Sequence, residues 1–201
     1  MKDNSTVSCY ESHAKAYDLY QSAVVPGYQE MLDLVTGACR RYLPEEAKII
    51  DLGCKVADLA GSDWDDGIEG IDGGEGYDAM VSTLVLEHLP FHRYKSAIAK
   101  CCRLLKPGGW FLATEGFAEE GSDMQEWFFQ EMEERRKAVD PKLSDFVARL
   151  RDERETHYYC RKAEKEEWWR QAGFEQVNML WQYLCIALMA GRKPLHGKIY
   201  K

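Results

Sequence analysis

Three stretches of the chain place residues able to do chemistry at the ends of apolar runs. Lys48-Ile49-Ile50-Asp51-Leu52-Gly53 reads as a short buried strand that closes on an acid and a glycine. That is the pattern of a parallel strand delivering a loop to a ligand. A glycine at the exit lets backbone N–H groups approach a bound molecule, because no Cβ stands in the way. Tyr77-Asp78-Ala79-Met80-Val81-Ser82-Thr83 is a second such strand, and Glu87-His88 follows it closely. A base or a substrate contact fits there, and so does a plain helix-capping or solvated pair. His13 and Tyr17 fall on an N-terminal helical pattern, where Tyr17 is either a lid residue or core. Trp127, Phe128, Tyr158, Tyr159, Trp168 and Trp169 either line an apolar pocket or, at helical spacing, simply pack.

The elements that must position these groups alternate. Tyr10, Ala14, Tyr17 and Tyr20 or Gln21 follow a helical spacing; Val25-Pro26-Gly27 interrupts it, and Tyr28 to Tyr42 resumes it. Phe91 to Leu105 predicts an amphipathic helix stopped by Lys106-Pro107-Gly108-Gly109, and Trp110 to Glu115 predicts a third strand. Helices follow over Ser122 to Val139, Leu143 to Arg154 and Ala163 to Ala172. Phe174 to Leu180 and Tyr183 to Ala190 predict two closing strands. Such alternation indicates an α/β sheet covered on both faces, with its crevice beyond the carboxyl ends of the strands.

Composition narrows the function. The 201 residues suit one domain, and 45% apolar with 30% charged residues fits a globular chain. No run approaches a membrane span, and the N-terminus lacks the apolar core of a secretory signal. A formal charge of −8 argues against nucleic acid, whose binding needs a basic face, and favours a small-molecule or protein partner. Seven scattered cysteines without metal-ligand spacing suggest buried thiols in a reducing cytoplasm and no metal.

Ile49-Ile50-Asp51-Leu52-Gly53-Cys54 resembles the first glycine-loop motif of class I S-adenosylmethionine-dependent methyltransferases. Tyr77 to Ser82 with Leu84-Val85-Leu86-Glu87-His88-Leu89 is similar to their fourth strand and the loop after it. Leu104-Leu105-Lys106-Pro107-Gly108-Gly109 resembles the turn before their fifth strand, Ala172-Gly173-Phe174 the turn into their sixth, and Tyr10-x3-Ala14-x2-Tyr17-Asp18 the cap helix of small-molecule members. The resemblance implies an α/β, three-layer, Rossmann-like methyltransferase sheet, mostly parallel with an antiparallel C-terminal strand and abbreviated between its first and fourth strands. It implies one domain over 1–201 with N-terminal cap helices at about 8–43. S-adenosyl-L-methionine is the implied cofactor, and a small molecule the implied methyl acceptor. Asp51, Gly53, Cys54, Asp58, Leu59, Ser82, Thr83 and Leu84 are the implied cofactor contacts, with His88 and Tyr17 as catalytic candidates.

The chain departs from this family after Cys54. Tyr77 comes only 23 positions later, whereas a single βαβ unit needs about 30 residues. In one threading, favoured here, Lys55-Val56-Ala57-Asp58-Leu59 is the third strand and Asp58 faces the adenine. In the other, Ile68-Glu69-Gly70-Ile71-Asp72 is the second strand and Asp72 holds the ribose. The protein is then either a shrunken member or one whose chain has lost a segment at the Cys54–Lys55 junction, and a cofactor-deficient, non-catalytic relative is the alternative function. Val25-Pro26-Gly27-Tyr28 and Trp181-x-Tyr183 also resemble carboxy-S-adenosylmethionine synthase. Trp168 stands where that enzyme carries an arginine, and Arg170 is out of register, so this is the minor reading.

Overall fold

The computed structural model describes residues 21–53, 76–118, 123–138 and 158–195. Tyr17, Cys54, Asp58, Leu59, both threadings of the junction and the helix expected over 143–154 lie outside the described residues. The first described helix, α1 (Tyr28–Tyr42), follows Gly27, whose φ of 67° turns the chain into it. Tyr28, Met31, Leu32, Val35, Ala38 and Cys39 fall at helical intervals and face the interior. Glu30 in the first turn and Arg40 and Arg41 in the last oppose the ends of the helix dipole. Strands β1 (Ile49–Asp51) and β2 (Tyr77–Thr83) come next, then a 3-10 turn at Leu86–His88 and helix α2 (Phe91–Leu104). Strand β3 (Leu105–Gly116), helices α3 (Asp123–Ala138) and α4 (Lys162–Gln171), and strands β4 (Glu175–Tyr183) and β5 (Ile186–Arg192) complete the order.

The five strands form one sheet in the order β1-β2-β3-β5-β4. β1, β2 and β3 pair in parallel, and β5 runs antiparallel to both β3 and β4. Four strands therefore share one direction and only β5 opposes them, as the family resemblance implies. The pleat divides the sheet into two buried faces. Leu112, Leu188 and Ala190 meet Val35, Ala38 and Cys39 of α1 on one face. On the other, Met80, Phe111, Ala113 and Met189 pack with Tyr94 and Ile98 of α2 and Trp169 of α4. Helix, sheet and helix make the three layers. Cys39, Cys101, Cys102, Cys160 and Cys185 are free thiols, and all but Cys39 are buried. No helix among the described residues is long and apolar enough to cross a membrane.

Two expectations need correction. The spacing predicts strands Phe174 to Leu180 and Tyr183 to Ala190, which puts the turn at Trp181-Gln182. The hairpin instead turns at Leu184-Cys185, pairing Tyr183 with Ile186, and Leu184 takes a φ of 51°. Tertiary burial decides this: the uninterrupted apolar run from Ile186 to Ala190 is central and wholly buried, while β4 alternates as an outer strand. The second concerns β1, expected inside the sheet. It pairs only with β2 among the described residues, and Ile49 is 45% exposed on it.

Packing is tight where α4 meets β5. Trp169 stacks on Phe111 with ring centroids 4.7 Å apart and leans on Phe174 at 5.5 Å. A Cβ placed on Gly191 would sit 2.8 Å from the Trp169 ring and 3.2 Å from Phe174. Overpacking of this kind costs about 1–3 kcal/mol. Gly191→Ala is therefore expected to lower the urea midpoint by a corresponding amount without changing the slope; an unchanged midpoint contradicts it.

Candidate active site

Adjacent parallel strands bring two exits to the same end of the sheet. β1 pairs Asp51 with Val81 of β2, and Leu52 N donates to Val81 O at 2.9 Å. The chain then turns at Gly53, whose N–H donates to Asp51 Oδ1 at 2.8 Å. A Cβ on Gly53 would lie 3.3 Å from that oxygen and 3.5 Å from Val85 Cγ2. A Cβ here would thus crowd the Asp51 carboxylate and touch the loop leaving β2. Asp51 is exposed and caps its own strand end.

Ser82, Thr83 and Leu84 occupy the end of β2. The Ser82 side chain is buried at 1% exposure and its Oγ has no hydrogen-bond partner among the described residues. Leu84 has a φ of 54°, and its N–H donates to Thr114 O at 2.9 Å. A left-handed leucine carries strain of the order of 1–2 kcal/mol, and such strain concentrates at functional loops. His88 closes the 3-10 turn four residues further on, half-buried. Asp51, Gly53, Ser82, Thr83, Leu84 and His88 are therefore gathered at the carboxyl ends of β1 and β2. That is the crevice position of open α/β sheets.

Behind this edge lies a buried polar network that the sequence reading missed. Glu115 Oε1 accepts from Tyr94 OH at 2.8 Å, and Tyr94 OH accepts from Trp169 Nε1 at 2.8 Å. Lys165 Nζ donates to Glu115 Oε2 and, at 3.1 Å, to Gly116 O. The same ammonium sits 4.8 Å from the Phe117 ring centroid and 5.1 Å from that of Tyr94. Burial, and then the neighbouring Glu115 carboxylate, hold the Tyr94 phenol well above its ordinary range. Glu87, for which a solvated role was open, is instead only 4% exposed, because the apolar Leu84–Leu86 stretch draws the turn inward. Its Tyr158 neighbour donates a backbone bond to Glu87 O at 2.7 Å. Two signals could have found the network: a carboxylate inside the apolar run Trp110 to Glu115, and Lys165 four residues from Trp169 on one helix face.

The aromatic group divides. Trp169 is core, Trp168 packs against Phe91 and Tyr94 with centroids 5.5 and 5.7 Å away, and Trp127 is exposed. Arg170 pairs with Glu166 at 3.0 Å on the outer side of α4, so the arginine nearest the synthase position is committed to the surface. A separate cavity of about 230 Å³, lined by Cys39, Tyr42, Trp110, Asn178 and Leu180 among others, opens between α1 and the β3–β5–β4 side of the sheet.

A family profile described as Methyltransferase domain matches residues 73–113, the span that holds β2, its exit loop, α2 and the start of β3. No curated protein sequence matches. Among solved structures, a SAM-dependent methyltransferase from Thermotoga maritima, described as a possible histamine N-methyltransferase, is 14% identical. That likeness covers 92% of this chain and 98% of that one, with a TM-score of 0.51. A possible exported protein from Bordetella parapertussis is 17% identical over 78% of this chain and 65% of its own, with a TM-score of 0.49. Human N-acetylserotonin methyltransferase in complex with SAM is 13% identical over 62% of this chain and 32% of its own, with a TM-score of 0.41. The chain thus spans under two thirds of the length of these last two. Strand order, crevice and the likeness to the Thermotoga maritima structure define a Rossmann-like α/β fold of the methyltransferase type, and the matched profile lies on its β2–β3 span.

Proposed function

We propose that this domain transfers the methyl group of S-adenosyl-L-methionine to a small-molecule acceptor in the cytoplasm, without nucleic acid or membrane as partner. The observation that carries the reading is the closure of the Gly53 turn on the β2 exit, with the strained Leu84 and the unpartnered, buried Ser82 Oγ beside it. Backbone at Gly53 and the Ser82-Thr83-Leu84 exit would hold the cofactor, with Cys54, Asp58 and Leu59 as further contacts. When bound, the cofactor supplies a methyl group on sulfonium, already a good leaving group. The protein's part is then mainly alignment and exclusion of water, which can account for much of the rate. In this reading His88 would take a proton from an O–H or N–H acceptor, and Tyr17 is the lid candidate.

Calorimetry with S-adenosylmethionine and S-adenosylhomocysteine tests this directly. Gly53→Val puts a branched side chain into the contact between Asp51 and Val85. We expect at least a tenfold loss of affinity, about 1.4 kcal/mol, with unchanged circular dichroism. A folded variant that binds like the wild type sinks the assignment of this loop. The alternative, a cofactor-deficient relative, is favoured by one feature: β1 is the outer strand of the described sheet, with Ile49 exposed. It predicts no heat at any concentration tested and no methyl transfer.

A further inference from the structure

Two carboxyl groups and one ammonium share the interior beside the carboxyl end of β3. Glu115 is committed, with one oxygen on Tyr94 and the other on Lys165. Glu87 lies within electrostatic reach of both Lys165 and Glu115, yet its Oε2 has no hydrogen-bond partner among the described residues. Lys165 already offsets Glu115, so a second carboxylate here would be a buried charge held only by a bond from its own backbone, which is strongly disfavoured. The turn that carries it is fastened by backbone bonds, Tyr158 N to Glu87 O and Leu89 N to Leu86 O, at 2.7 and 3.0 Å.

We propose that Glu87 is carried as the neutral acid and acts as a positioning residue. Protonated, it lets the backbone-fastened Leu84–Leu89 loop stay buried beside the Lys165–Glu115 pair; ionised, it is repelled by Glu115 and loosens that loop. The charged groups that act on it are Lys165 from α4 and Glu115 from β3, with its own backbone N–H as a hydrogen-bond donor; Tyr94 from α2 and Cys160 ahead of α4 belong to the same network through Glu115. Burial pushes the Glu87 carboxyl up to about 8 against the pull of Lys165, and Glu115 adds to the rise. Burial also pushes the Cys160 thiol up to about 11, so neither it nor Tyr94 titrates in the neutral range.

The sign follows from linkage. The folded chain binds the Glu87 proton more tightly than the unfolded chain does. This contribution to stability is full below the ordinary value of 4.5 and is lost as the pH rises to about 8. Within that window the group lowers the folding constant by up to tenfold per pH unit. That the loop borders the acceptor rests on the methyl-transfer reading above; the protonation does not.

Difference infrared spectroscopy of the full chain tests the proposal, since a protonated carboxyl has a C=O band that imidazole and thiol lack. We expect such a band at pH 7 that disappears around pH 8, and its loss in Glu87→Gln together with the pH dependence of stability over the same window. Glu115→Gln, which leaves Glu87 as the remaining carboxylate facing Lys165, should move the titration to lower pH. It reports even where Glu87→Gln does not fold. S-adenosylhomocysteine affinity, measured at pH 6.5 and 9, should fall at the higher pH in the wild type and stay level in Glu87→Gln. No band at pH 7, a band that persists in Glu87→Gln, or a titration unmoved in Glu115→Gln overturns the proposal. Absence of S-adenosylhomocysteine binding at both pH values overturns the methyl-transfer reading and the loop's link to it, and leaves the protonation to the infrared result.

Discussion

Replacing Lys165 by methionine is expected to destabilise the domain by about 3–5 kcal/mol, the usual cost of stripping one partner from a buried ion pair. Methionine keeps much of the stem volume, so packing against Tyr94 and Phe117 largely survives and the loss is electrostatic. The Lys165 side chain is 1% exposed and that of Glu115 0%, so water cannot take over the ammonium's place on Glu115 Oε2. Gly116 O loses its donor as well. A typical domain has only about 5–15 kcal/mol in hand, so the variant should melt much earlier and unfold at lower urea. Adding Glu115→Leu should recover part of the loss, because a buried pair replaced by apolar groups is often neutral. A single variant within about 1 kcal/mol of the wild type in urea titration would mean that solvent reaches this network, against its burial.

Cofactor affinity should respond as strongly to the junction after Cys54. In the family that the motifs resemble, backbone amides after the first strand and an acid after the second hold the methionine and ribose parts. Under the favoured threading the later glycines and that acid have no counterpart here. The exposed Ile49 on an outermost β1 agrees with a crevice walled from one side among the described residues. A charge-assisted hydrogen bond contributes about 1.5–3 kcal/mol, or one to two powers of ten in affinity. We therefore expect this 201-residue chain to bind S-adenosylmethionine weakly and to transfer methyl groups slowly. A chain with the glycine-loop helix, second strand and acid inserted between Cys54 and Lys55 should bind ten- to a hundredfold tighter per bond restored. Micromolar binding by the chain without the insert would contradict this, and would assign the missing contacts to Asp72, Asp63 or Lys55.

Local chemistry alone determined a good deal of this protein. The short, largely apolar run from Tyr77 to Thr83 marks β2 to the residue, and the spacing of Tyr94, Ala97, Ile98 and Cys101 marks α2 to within one position. The helical period of α2 already states which side is buried. The glycine at the β1 exit and the order of the motifs carried the parallel β1–β2–β3 arrangement and the hairpin beyond it. Only the tertiary structure decided where that hairpin turns, because Trp181 and Tyr183 suit either a strand or a turn until burial of Ile186 to Ala190 fixes the register. The start of β3 at Leu105 was likewise hidden, since Pro107, Gly108 and Gly109 read locally as a turn, although Tyr77 already pairs with Leu105. The interior placement of Glu87, Glu115 and Lys165 has the same origin. A charged side chain reads as solvated from its neighbours in sequence; for Glu115 and Lys165 only partners distant along the chain, here Tyr94, Gly116 and each other, make burial affordable, whereas Glu87 is buried with its Oε2 unpartnered among the described residues.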